Sequence, residues 1–183
     1  MQGIILIGMP ASGKSTIGRV LAGQLNRPFV DGDDVIVESE GMGLQTLLDQ
    51  HGYLALREAE ERALMAKEFH GVVLATGGSV VYSDRLVRHL RRFGPLVYLA
   101  LSLHEVRGRL NNFATRGIAC APGASLEEIY AEREALYVRH ADLVVAAGGQ
   151  SEAELAESIK QALRDGGYHD ALLPGNPLTG SPH

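Results

Sequence analysis

The octapeptide Gly8-Met9-Pro10-Ala11-Ser12-Gly13-Lys14-Ser15 constrains this chain more than any other stretch, because of what stands on either side of it. The apolar run Gln2–Ile7 leads into Gly8, and a helical spacing of Ile17, Val20, Leu21, Gln24 and Leu25 starts just after Lys14. A strand feeding a glycine-rich turn that opens a helix gathers backbone N–H groups at the positive end of that helix. This is a ready site for phosphate oxygens. Gly8, Ala11, Ser12, Gly13, Lys14, Ser15 and Thr16 are therefore expected to hold a nucleotide triphosphate. Lys14 supplies a point charge, and Ser15 a hydroxyl for Mg²⁺. From average residue usage a chance match in a chain of this length occurs about 1% of the time, and less often with strand and helix in place.

The rest of the 183 residues continues the same alternation. Pro28–Asp31, Val72–Ala75, Leu96–Leu101 and Leu143–Ala146 read as short strands rich in Val, Ile and Leu. Their near-continuous apolar character predicts a parallel sheet covered on both faces. Helical spacing occupies Lys14–Leu25, Leu54–His70, Asp84–Phe93, His104–Leu110, Leu126–His140 and Glu152–Asp165. Capping boxes, Ser125 with Glu128 and Ser151 with Glu154, fix two helix starts, and Gly166–Gly167 ends the last helix. The expected fold is α/β: a three-layer phosphate-loop kinase fold around five parallel strands. Residues 1–165 form one domain with a mobile lid at about 111–124, and 166–183 form a flexible tail.

Charge and composition narrow the function classes. A net charge of −5 with three scattered lysines argues against nucleic acid as a partner. One cysteine, Cys120, excludes an internal disulfide and suits a reducing compartment. No apolar run approaches the roughly 18 residues of a membrane span, and no basic stretch precedes the first strand. A cytoplasmic monomer with no membrane partner is expected. The chain has no N-K-x-D motif for reading guanine, and Asp49-Gln50-His51-Gly52 lacks a preceding hydrophobic strand. A small kinase remains, with ATP and Mg²⁺ as expected ligands.

Asp31 and Asp33 end a strand two residues apart, which would aim both carboxylates to one face at the carboxyl edge of the sheet. One can hold the water shell of a metal while the other accepts a proton from an attacking hydroxyl. A plain turn and helix cap is the structural alternative. Arg57, with Glu60 and Glu61 three and four residues on, has the spacing of a solvated ion pair, and Arg133 lies between Glu132 and Glu134. On spacing alone both arginines belong on the surface. Arg85, Arg88, Arg91 and Arg92 read as a solvated helix face. The histidines show no metal-ligand spacing, and Cys120 has no adjacent base.

Taken together, Gly8–Gly18, Phe29–Asp33, Arg57 opening R-E-A-E-E, Ala75-Thr76-Gly77-Gly78-Ser79, Arg109, Arg116 and Ala131–Tyr137 resemble the shikimate kinases in order and spacing. The resemblance runs from about Ile4 to Val145 and implies an ATP-dependent kinase of a small alcohol that carries a carboxylate. It implies Lys14, Asp33 and Arg116 as catalytic residues and Ser15 and Asp31 as metal ligands. Arg109 would stack on adenine, and Arg116 would reach the phosphate from the lid. Asp33, Arg57, Gly77, Gly78 and Arg133 would hold the acceptor, the two arginines clamping its carboxylate.

Departures from the family pattern fall on the acceptor side: Leu48, Tyr53, Leu56, Ser79 and the lid stretch Gly117-Ile118-Ala119. They leave homoserine or another hydroxy acid open beside shikimate. A nucleoside monophosphate acceptor and a non-catalytic ATP-binding module are further alternatives.

Overall fold

The computed structural model describes residues 1–110 and 118–175. Five strands form one sheet: β1 (Ile4–Ile7), β2 (Phe29–Asp31), β3 (Val73–Ala75), β4 (Leu96–Ala100) and β5 (Leu143–Ala146). Their order is β2-β3-β1-β4-β5, and every pairing is parallel. Ile4, Ile5, Leu6 and Ile7 are all fully buried, as are Val73, Leu74, Leu96, Val97 and Leu99. Side chains along a strand point to alternate faces, so complete burial means that both faces are covered. Each such aliphatic residue contributes roughly 1.5–3 kcal/mol, which makes β1 the centre of the core as well as of the sheet.

Among the described residues seven α-helices flank the sheet: α1 (Lys14–Gln24), α2 (Gly32–Glu40), α3 (Leu44–Met65), α4 (Asp84–Arg91), α5 (Leu103–Arg109), α6 (Leu126–His140) and α7 (Glu152–Asp165). Both expected capping boxes form, and a third, Ser102 with Glu105, starts α5. At the end of α7 the N–H of Tyr168 donates to Leu163 and that of Gly167 to Arg164, with Gly167 at φ 77°. This is the glycine stop anticipated from Gly166–Gly167, with the left-handed residue at the second position.

Three expectations need correction. The sequence reading passed over α2 and the first part of α3. α2 buries only Gly32, Val35 and Ile36, too thin an apolar stripe to stand out as a period. In α3, Gly52 sits at φ 82° and ψ 173°, a break between two helical pieces that obscures any single stripe.

The first part of the expected tail also differs from the expectation. Residues 166–175 are docked, not free. Arg27 donates from Nε to the carbonyl of Leu173 at 2.9 Å, and from its terminal nitrogens to the carbonyls of Asp170 and Gln2. A 3-10 turn at His169–Leu172 buries Ala171, and Gly175 N–H donates to Leu25. A polar, glycine-containing segment can be held by one buried arginine through its carbonyls, which leaves no hydrophobic period to read. Residues 176–183 lie outside the described residues, as do 111–117 of the expected lid, Arg116 among them.

The strand order decides where a ligand can sit. From β1 the chain crosses to the β2 side, and after β3 it crosses past β1 to β4. The crevice beyond the carboxyl ends of β1 and β3 is the topological switch point of an open parallel sheet.

Candidate active site

Around that crevice lies a cleft of about 350 Å³, lined on one side by Pro10, Ala11, Gly13, Lys14, Ser15 and Thr16 and on the other by Leu56, Glu60, Ser79, Ile118, Ala119 and Arg133. Asp31, Asp33, Thr76, Gly77 and Gly78 lie between these two walls.

The loop after β1 is shaped by backbone torsions. Gly8, Ala11 and Gly13 have φ of 149°, 61° and 90°. A left-handed alanine costs of order 1–3 kcal/mol, a strain characteristic of functional loops. A Cβ at Gly8 would lie 2.9 Å from the Leu99 carbonyl, so only glycine fits there. At Gly13 a Cβ would meet nothing within 4 Å, so the left-handed torsion, not space, is what favours glycine there. Helix α1, with Gly13 at its N-cap, has no side-chain cap, as is also true of α3 at Gly43, whereas Asp31, Ser83, Ser102, Ser125 and Ser151 cap α2, α4, α5, α6 and α7. The uncapped N–H donors at this helix end fit an anion.

Lys14 is buried. Its Nζ donates to the carbonyls of Gly8 and Met9, both at 2.8 Å, and to Ser12 Oγ at 3.4 Å. Burial pushes the ammonium down to about 8, against the opposing pull of Asp33.

Asp31 forms the helix cap expected as the structural alternative. Its Oδ1 accepts from the N–H of Asp33 at 3.2 Å, capping α2, and the residue also lines the cleft. The geometric argument for the pair needs correction, however. The strand ends at Asp31, and Asp33 lies in the first turn of α2. Helix geometry brings it to the cleft, not strand alternation. Burial raises the Asp33 carboxyl above the usual range, reinforced by the charge of Asp31 and opposed by Lys14.

The surface reading of the two arginines fails. Arg133 is 1% exposed. It belongs to the inner stripe of α6, Ile129-Arg133-Tyr137-His140. Its Nη2 donates to the carbonyl of Ala119 at 2.8 Å, and the same carbonyl accepts from Arg57 Nη2 at 3.0 Å. Glu61 pairs with Arg85 instead. Among the described residues neither Arg57 nor Arg133 has a carboxylate within ion-pair distance. Two guanidiniums therefore converge on one neutral oxygen, an arrangement that suits an incoming carboxylate.

Glu60 is the site residue that motif reading missed. It is buried, its Oε2 accepts from Ser79 Oγ at 2.5 Å, and its Oε1 has no partner among the described residues. Burial pushes it up to about 7, although the Ser79 hydroxyl opposes the shift. A signal was present: α3 buries Leu56, Ala59, Glu60, Ala63 and Leu64, so Glu60 occupies a core position of an apolar stripe. A charge in such a position marks a site or a buried network. Gly77 and Gly78 are needed for close packing. A Cβ at Gly77 would lie 2.4 Å from Glu60 Oε1, and one at Gly78 would lie 2.8 Å from Arg133 Nη1. Tyr137 Oη donates to the Gly78 carbonyl at 2.6 Å.

Arg109 stands apart from this cluster, exposed at the end of α5, with Nη2 donating to the carbonyl of Ala147 at 3.4 Å. The segment Asp49–Gly52 lies within α3, where Asp49 accepts from Gln45 Nε2 at 2.8 Å.

Comparisons with known proteins agree with this geometry. The shikimate kinase family model matches residues 10–164. A shikimate kinase of Sulfurihydrogenibium sp. is 33% identical over 160 residues, covering 87% of this chain and 96% of its own. One from Pseudomonas fluorescens is 38% identical over 149 residues, 79% of this chain and 86% of its own. Among solved structures, shikimate kinase from Acinetobacter baumannii in complex with shikimate superposes with a TM-score of 0.78 at 25% identity, covering 90% of this chain and 94% of that one. A phosphate cradle facing two convergent arginines, on a sheet of this order and with these relatives, means that the chain belongs to the shikimate kinase family of ATP-dependent small-molecule kinases.

Proposed function

We propose that this protein transfers the γ-phosphate of ATP to a hydroxyl of shikimate, giving shikimate 3-phosphate. The observation that carries the acceptor is the meeting of Arg57 and Arg133 on the Ala119 carbonyl, across the cleft from the phosphate loop. A carboxylate there would take charge-assisted N–H bonds from both guanidiniums. Relatives named shikimate kinase, and a similar structure solved in complex with shikimate, support that choice of acid.

In this reading Gly8, Ala11, Ser12, Gly13 and Thr16 present donors to the triphosphate, and Lys14 turns from the Gly8 and Met9 carbonyls toward its oxygens. Ser15 and Asp31, both lining the cleft, would hold Mg²⁺. When bound, Mg²⁺ would neutralise charge on the phosphates. Asp33 accepts the proton of the attacking hydroxyl as the new O–P bond forms and the bond to the ADP oxygen breaks. Its raised affinity for a proton suits that task. Gly77 and Gly78 shape the wall against which the acceptor lies. Arg109, beside the turn after β5, would stack on the adenine ring. Arg116, outside the described residues, would bring a positive charge to the transferring group.

No helix among the described residues is long and apolar enough to cross a membrane. We propose that the protein works in the cytoplasm, a reducing setting that suits its single cysteine.

Purified protein with ATP, Mg²⁺ and a panel of hydroxy acids tests the reading in a coupled assay of ADP release. Shikimate should turn over at about 1–100 s⁻¹, the ordinary range for kinases. Homoserine and AMP should remain at the ATPase background. Turnover with either, and none with shikimate, would overturn the assignment.

A further inference from the structure

One aromatic side chain at the acceptor end has no role in the reading so far. Tyr82 closes a short 3-10 turn, Val80–Tyr82, that follows Ser79. The guanidinium carbon of Arg57 lies 3.5 Å from the centroid of its ring. Arg133 Nε donates to its hydroxyl oxygen at 3.4 Å, and the Arg133 guanidinium carbon stands 5.5 Å from the same ring. Tyr53 flanks Arg57 at 5.1 Å. Leu48 and Leu56 offer no ring, and among the described residues Tyr53 and Tyr82 are the rings that Arg57 stacks against.

Two guanidiniums that share no carboxylate repel each other, and a half-buried arginine has many rotamers to lose when it binds an anion. A ring face attracts a cation electrostatically, and a phenolic oxygen accepts a hydrogen bond from the side. Tyr82 uses both properties at once, its face toward Arg57 and its oxygen toward Arg133. We propose that Tyr82 is a positioning residue for the acceptor carboxylate, fixing the plane of Arg57 relative to Arg133 so that their free N–H groups converge before the acceptor arrives. The inference deepens the carboxylate-clamp reading and rests on it.

Steady-state kinetics of Tyr82→Phe and Tyr82→Leu separate positioning from simple structural support. Removing the ring should raise KM for shikimate about tenfold and removing the hydroxyl two- to threefold. kcat and KM for ATP should stay within twofold of the parent. With the carboxamide of shikimate, which has no anionic group to clamp, Tyr82→Leu and the parent should have equal kcat/KM. A purely structural tyrosine predicts the reverse: KM for ATP and kcat change too, and the carboxamide loses as much as the acid. That result would overturn the proposal.

A second measurement does not depend on the acceptor. Phenylglyoxal modification of Arg57, followed by peptide mass spectrometry, should be several-fold faster in Tyr82→Leu because the ring no longer covers the guanidinium. An unchanged rate would overturn the proposal even with active enzyme. A faster rate in a protein that does not phosphorylate shikimate would support the hold of Tyr82 on Arg57 and refute only the choice of acceptor.

Discussion

The two walls of the cleft are made in different ways. The phosphate wall is one continuous stretch, Gly8–Ser15, whose donors are backbone N–H groups set by three left-handed torsions and a helix start. The acceptor wall is assembled from distant parts of the chain: Arg57 and Glu60 from α3, Ser79 and Tyr82 after β3, Ala119, and Arg133 from α6. A wall made of backbone tolerates changes of side chain as long as its torsions survive. A wall made of side chains changes its ligand when any one partner changes. The departures from the resemblance read in the sequence, at Leu48, Tyr53, Leu56, Ser79 and Gly117-Ile118-Ala119, belong to the acceptor side, where this contrast expects them.

The largest effect is expected where the two walls meet. Asp33→Asn keeps the size of the side chain but cannot accept a proton, so kcat should fall about 10²- to 10⁴-fold. ATP affinity, measured by calorimetry, should be unchanged. Equal turnover would mean that another group takes the proton.

Next comes a substitution confined to the acceptor wall. Arg133→Lys keeps the charge and loses the planar fork, so one charge-assisted bond is lost or misdirected, worth about 1.5–3 kcal/mol. KM for the acceptor should rise roughly 10- to 150-fold with KM for ATP unaltered. A parallel rise in both constants would show that the walls are not separable.

The phosphate wall has its own signature in pH. Lys14 loses its proton at about 8 in the free protein. Bound polyphosphate favours the charged form, so binding above pH 8 must take up a proton. ATP affinity should be level below pH 8 and fall toward tenfold per unit above it. Lys14→Ala should abolish that slope. The same shift affects stability in the opposite sense: the unfolded chain keeps this proton up to about 10.5, so the cost of burying a charged Lys14 is relieved and stability rises from pH 8 to 10.5.

The smallest effect on activity lies far from both walls. Truncation after Gly166 removes two of the three carbonyls that Arg27 holds, those of Asp170 and Leu173, and the partly unmet guanidinium costs about 1–3 kcal/mol. Thermal unfolding should register this loss while kcat at 25 °C stays within twofold. An unchanged midpoint would restore the flexible-tail reading.

The sequence determined whatever depends on neighbours along the chain. The cradle from Gly8 to Ser15, the capping boxes at Ser125 and Ser151, and the strands of β-branched and leucine residues are local, so their spacing carries them. Tertiary structure decided the fate of the charges. Arg57 and Glu60 are one helical turn apart, a spacing that reads as a surface pair, yet one meets Ala119 and the other Ser79. Arg133 sits between two glutamates in sequence and reaches neither. Glu60 and Arg133 each occupy a core position of an apolar stripe. A helix period shows which face a residue is on, but only the packed partner shows whether a charge on that face meets water, an opposite charge or an empty site. That partner lies 14 to 62 residues away for the contacts made by Arg57, Glu60 and Arg133 here, and chain-local physics does not extend so far.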